Sequence, residues 1–179
     1  TCLADLHKAI DRYSHSPVAL WILRQPLRMD TSEVDQYLGR LDAVQNMTPR
    51  VVSVLSKGID SSGTVFVAIP PINGYPLITG DVEVVERERR FTACLDLIDR
   101  FHSAGIVCGD ISVQSFWIGR NGQVAFICPL GLPREWKDVA DPGTFENFIP
   151  YVAPEIREGG SPSLSSDVFS LGVLGYYLL

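Results

Sequence analysis

The stretch Phe101-His-Ser-Ala-Gly-Ile-Val-Cys-Gly-Asp-Ile-Ser-Val-Gln-Ser-Phe-Trp-Ile118 decides how the rest of this chain is read. Its start belongs to a helix: Val84, Phe91, Cys94, Leu95, Ile98 and Phe101 recur at helical spacing, which predicts a helix from about residue 81 to 102. Gly105 is the residue type that closes a helix. Its end belongs to a strand, because the apolar runs 116–118 and 124–127 flank Asn121-Gly122, the strongest short hairpin signal a sequence can carry. Between helix and strand lies a loop with one carboxylate, Asp110.

Upstream the period changes from helical to strand-like. Pro17-Val-Ala-Leu-Trp-Ile-Leu23 is a compact apolar run suited to a buried strand. Asp30, three residues before Glu33, marks a helix start, and Val34, Leu38, Leu41 and Val44 supply its apolar face. Runs 51–55 and 64–69 are expected to pair as antiparallel strands across the loop Asp60-Ser-Ser-Gly63. Pro70-Pro71-Ile-Asn-Gly74 is the natural linker, dividing 1–71, a sheet with one helix, from 72–179, mainly helical. After Gly131 a loop dotted with Pro and Gly runs to Pro150, and an apolar helix follows over 167–179. The pattern is α+β and two-lobed.

With 179 residues, 46% hydrophobic and 20% charged, the chain can bury a sizeable core and is not a disordered sequence. A formal net charge of −6 without any Lys/Arg block argues against nucleic acid or an anionic membrane as partner. No apolar run approaches membrane-spanning length, and the start at Thr1 reads as a piece of something larger. Cys2, Cys94, Cys108 and Cys128 lack metal-binding spacing and point to reduced thiols in the cytoplasm, either free-standing or as the cytosolic part of a membrane-associated protein. A redox pair between Cys108 and Cys128 is the sharper alternative to two buried thiols. His7, His15 and His102 are expected at the surface or as caps, and Glu83-Val-Val-Glu-Arg-Glu-Arg-Arg90 as a solvated helix face.

In their order these segments resemble a bacterial-type Ser/Thr protein kinase nearly end to end. Leu6-His-Lys-Ala9 resembles its second strand and Val18-Ala-Leu-Trp21 its V-A-I-K strand. Val67-Ala-Ile-Pro-Pro71 is similar to the hinge, Tyr151-Val-Ala-Pro-Glu155 contains A-P-E, and Ser166-Asp-Val-Phe-Ser-Leu-Gly172 is similar to the F-helix. The resemblance implies a two-lobed kinase-like fold whose last C-lobe helices have no sequence here. It also makes Asp110 the relic of the catalytic-loop base, and Glu155 and Asp167 structural motif residues, Asp167 by binding the catalytic-loop backbone.

The positions that would hold ATP and magnesium depart from the kinase pattern. Cys2 and Ala4 stand where glycines would fall, Trp21 replaces the strand-three Lys, and Gly39 falls on or near the helix-C Glu. Ser115 replaces the catalytic-loop Asn, and the segment beginning at Cys128 offers no D-F-G carboxylate. The degenerate pocket is thus expected at Ala4, Trp21, Ala68, Ser115 and Cys128, with Trp21 projecting into the cleft and Ala68 gating its back. No metal site and no cofactor are expected. The function implied is a catalytically inactive pseudokinase that binds or regulates another protein, or another domain of its parent chain. The alternatives are an atypical kinase that uses Asp110 as base with a displaced cation, and an ATP sensor without turnover.

Overall fold

The computed structural model describes residues 4–23, 31–45, 47–78, 81–127 and 149–179. The first element, β1 (Ala4–Ile10), pairs antiparallel along its whole length with β2 (Pro17–Leu23). Along β2 the side chains alternate as a pleated strand requires, with Ala19, Trp21 and Leu23 buried and Val18, Leu20 and Ile22 only partly covered. Helix α1 (Thr31–Gln45) turns Leu41 and Val44 into the core. Strands β3 (Ser56–Ile59) and β4 (Val65–Ile69) complete a four-stranded sheet of order β1-β2-β4-β3.

Residues 51–55 do not form the strand expected of them. The partner of β4 is Ser56–Ile59, in the register Ile59 to Val65 and Ser56 to Ala68. The turn sets that register. The Asp60 carboxylate accepts from the amides of Ser62 (2.8 Å) and Thr64 (2.9 Å), which closes a tight loop and pairs the residues next to it. The strand so paired is polar and on the sheet edge, so hydrophobicity does not flag it. The apolar run instead reaches the second half of the molecule, where Val52 N donates to Phe126 O (3.1 Å) and Phe126 N to Arg50 O (2.9 Å).

There, β5 (Gly74–Pro76), β6 (Phe116–Gly119) and β7 (Val124–Phe126) form a second antiparallel sheet in that order. The Asn121-Gly122 hairpin pairs as its sequence predicts: Gly119 N donates to Gln123 O (2.9 Å), and Gly122 takes φ 75°, where a side chain would be strained. Strand β5 starts at Gly74, the last residue of the segment read as linker; three exposed residues are too short a run to announce a strand.

Helix α2 (Val84–Ser103) starts later than expected and turns inward Cys94, Ile98 and Phe101 of the expected stripe, joined by Arg90 and Leu97. Val84 is 59% exposed and Leu95 39%, whereas Arg90, Cys94, Leu97, Ile98 and Phe101 are buried. Phe101, Phe116 and Phe126 pack edge to face, with ring centroids 5.3 and 5.5 Å apart, and join α2 to the second sheet. Burial pushes the Cys94 thiol up to about 12, so it behaves as a packing residue. The short helix α3 (Pro154–Arg157) and the apolar α4 (Leu164–Leu178) follow. Helix α4 begins three residues before Asp167 because Ser163 caps it, with Ser163 and Ser166 exchanging side-chain and backbone bonds.

The charged run 83–90 is not wholly solvated. Arg90 is 6% exposed, donating through Nη1 to Leu77 O (2.9 Å) and through Nε to Glu86 Oε1 (2.9 Å). It thereby ties α2 to the segment after β5. Replacing Arg90 with Met keeps the aliphatic stem but strands the Leu77 carbonyl, an expected loss of about 2 kcal/mol in urea denaturation. Bonds from Arg89 and Arg90 hold the Glu86 carboxyl down at about 2. A depressed carboxylate contributes its stability above the unfolded value of about 4.3 and loses it as pH falls toward 2. Glu86→Gln should therefore lower stability at neutral pH and flatten the loss across that acid window, so that variant and parent converge toward pH 2.

Candidate functional site

The loop between α2 and β6 is held from beneath by one carboxylate. Asp167, 1% exposed in the first turn of α4, accepts from Cys108 N through Oδ2 (2.7 Å) and from Gly109 N through Oδ1 (2.8 Å). Gly109 has φ 73°, a conformation that glycine adopts without strain and that lets two successive amides face one side chain. His102 Nε2 lies 2.9 Å from Asp167 Oδ2. His102 is therefore a half-buried partner of this anchor, not the surface or capping residue expected.

Farther along the loop, Ser115 is fully buried and spends its hydroxyl on the loop itself. Its Oγ donates to Asp110 O (2.9 Å) and accepts from Ser112 N (3.0 Å). Asp110 is 5% exposed and, with Asp167, Tyr151, Ala153 and Ser170, lines a cavity of about 20 Å³, room for a water molecule but not for a side chain. Glu155 lies exposed on α3. Cys128, and with it the pairing with Cys108 and most of the loop after Gly131, falls outside the described residues; Cys108 itself is buried.

The larger cleft lies between the two sheets. It measures about 580 Å³ and is roofed by Ala4 and Leu6 of β1, with Phe116 and Trp117 of β6 below. Trp21 lines it, 3% exposed, and crosses from one sheet to the other: its Nε1 donates to Ile127 O at 3.1 Å. Among the described residues lining the cleft, Asp5 is the sole charged one. Ala68 is not part of it. It pairs with Leu20 and Ser56 and shares their face of the sheet, whereas Trp21 pairs with Val67 and faces the other way. Val67, not Ala68, therefore sits opposite Trp21, and the expected gate is corrected accordingly.

Two cations that tie α1 to its neighbours are engaged in structure, and sequence reading passed over both. Lys57 Nζ bonds Leu38 O (2.6 Å) and Asp42 Oδ1 (2.5 Å), tying β3 to α1. Arg40 Nη2 donates to Val107 O, tying α1 to the loop after α2. Gly39 is exposed, with open space where a side chain would begin. Among the described residues no group of three His, Cys, Asp or Glu side chains could hold a metal ion, and no helix is long and apolar enough to cross a membrane.

No family model matches the sequence. Among curated proteins, the chain is 27% identical over 191 residues to the serine/threonine-protein kinase PknA of Mycobacterium tuberculosis, covering 97% of this chain and 43% of the relative. It is 24% identical over 195 residues to a probable serine/threonine-protein kinase PknB of Bifidobacterium longum, covering 99% and 28%. A probable serine/threonine-protein kinase of Streptomyces coelicolor is 26% identical over 190 residues, covering 99% and 28%. The chain thus spans less than half the length of these relatives. They support a kinase-like domain, and the α+β architecture with antiparallel sheets agrees with a partial kinase-like fold.

Proposed function

We propose that this chain is a kinase-like domain that does not transfer phosphate and acts as a protein-binding or regulatory module. The observation that carries the proposal is Trp21. At the position where the kinase resemblance expects a lysine, a neutral indole fills the cleft wall and bonds across it to Ile127 O. Phosphoryl transfer depends on positioning and on cations that offset phosphate charge. The charge this cleft does carry, Asp5, has the wrong sign for a triphosphate. Loss of several such contributions, each tenfold in rate per 1.36 kcal/mol, leaves Asp110 without the means to compensate.

Binding to another protein, or to another domain of the parent chain, draws support from the apolar surface of α4. Val168 is 59%, Tyr176 83% and Tyr177 51% exposed on that helix. The buried free thiol of Cys94 fits a reducing, cytoplasmic setting. A second reading, nucleotide sensing without turnover, draws support from the volume of the cleft, which lies within the range of small-molecule sites.

Two measurements separate these readings. ATP, with or without magnesium, should leave the melting temperature unchanged. Label transfer to generic protein substrates should not exceed that of an Asp110→Ala variant. A clear ATP-dependent rise in melting temperature would favour the sensor, and transfer that Asp110→Ala abolishes would restore the enzyme.

A further inference from the structure

The sequence reads as two halves joined at 70–74, but the structure also ties them together elsewhere. At the cleft, the Trp21 indole of the first sheet donates to Ile127 O (3.1 Å). Ile127 is held from the other side as well, its amide donating to Ser115 O (2.9 Å). The Ser115 hydroxyl in turn donates to Asp110 O (2.9 Å), in the loop that Asp167 anchors. A second tie is the segment 50–55, which bonds to both sheets. Val52 N donates to Phe126 O and Phe126 N to Arg50 O, while Leu55 N donates to Ala68 O (2.8 Å). A third runs from Arg40 of α1 to Val107 O in the loop after α2.

Apolar packing follows the same path. Trp21, Leu23 and Val67 of the first sheet share one buried cluster with Ile118 and Phe126 of the second and with Phe101 and Leu174 of the helices. Two units move relative to one another by default unless the interface between them is large and apolar, and here one core runs through both. Opening the cleft would expose the Trp21 indole and strand the Ile127 carbonyl, both unfavourable. We propose that Trp21 is a latch: with the 50–55 segment it holds the two sheets at one fixed spacing, so that the cleft neither opens nor closes. The residue standing where a lysine is expected thus has a positioning role of its own. Catalytic domains that close around a substrate need a cleft free to change width. A latched cleft suits a module whose binding surfaces on both halves are presented at constant geometry, with no ligand required to assemble them. That last step rests on the proposed function; the rigidity itself does not.

The test measures residual dipolar couplings of backbone amides in the full chain, with no partner present. Couplings from β1 to β4 and those from α2, β6, β7 and α4 should fit a single alignment tensor. Trp21→Phe keeps most of the packing and removes the bond, so the two sets should then need different tensors. Hydrogen exchange at Val52 and Ile127 should speed up on the order of tenfold relative to the buried amides of α2, the factor that one hydrogen bond is worth. Arg90→Met lowers stability within the second half alone, and should leave both the single tensor and that exchange ratio unchanged. If Trp21→Phe does not fold, benzothienylalanine at position 21, which keeps the bicyclic ring and lacks the N–H, makes the same test. An unmodified chain that needs two tensors overturns the proposal, as does a variant without the N–H that keeps one tensor and the original exchange ratio. Nucleotide-dependent melting and label transfer bear on the proposed function alone, so the two can fail separately.

Discussion

Asp167→Ala is expected to destabilise the protein by about 3–5 kcal/mol, a large share of the roughly 5–15 kcal/mol by which domains are stable. Three partners lose their acceptor together: Cys108 N, Gly109 N and His102 Nε2. The two amides lie in a loop closed over by α4, so water has little access to replace the carboxylate, and each stranded donor costs about 1–3 kcal/mol. The loop should loosen before the rest of the molecule, since Asp167 is its anchor to α4. Asp167→Asn separates bonding from packing: it preserves shape but keeps one acceptor oxygen and turns an amide N–H toward a donor. It should cost about half as much. Urea denaturation gives the totals, and hydrogen exchange at Cys108 and Gly109 gives the local effect. A loss below about 1 kcal/mol for Asp167→Ala, or undiminished protection of those amides, would show that the loop is held by something else.

Trp21→Ala should cost about 3–5 kcal/mol, the range for removing a large buried aromatic. The indole is 3% exposed and belongs to the same core cluster as Phe116 and Ile127, so its removal opens a cavity between the sheets instead of a surface dent. Trp21→Phe retains most of the apolar contact but strands the Ile127 carbonyl, an expected loss of about 1–2 kcal/mol. Trp21→Lys tests the functional reading directly. It restores the residue type that kinases use here, yet the amine would enter a largely apolar wall, and Gly39, where the resemblance expects the helix-C Glu, offers no carboxylate. Stability should drop as for Ala, and ATP should still not raise the melting temperature. If Trp21→Lys both folds well and gains an ATP-dependent shift, then Trp21 alone was blocking the pocket and the remainder of the site is competent.

Much of this architecture is legible from local chemistry. Pro17–Leu23 is a strand because its apolar, partly β-branched run suits a pleated surface, and the Asn121-Gly122 turn can hardly do other than pair its flanks. Helix α2 is legible as a helix, and the departures from the kinase pattern on which the proposed function rests are proposed from the residue types at Trp21, Ser115 and Gly39. What one dimension does not reveal is which neighbour a residue meets. The run 51–55 is as apolar as a strand, yet the turn at Asp60 assigns the pairing to polar Ser56–Ile59. Arg90 looks solvated until Leu77 and Glu86 surround it, and His102 looks incidental until Asp167 arrives from 65 residues away. Ala68 and Trp21 face opposite ways because a strand's period is two, so a shift of one residue exchanges the faces. Local propensity and turn chemistry act over a few residues and can be read in order. The bonds of Trp21 to Ile127 O and of Asp167 to the loop exist only once distant segments are packed, and it is that packing which lines a cleft between the sheets with a single charged residue among those described.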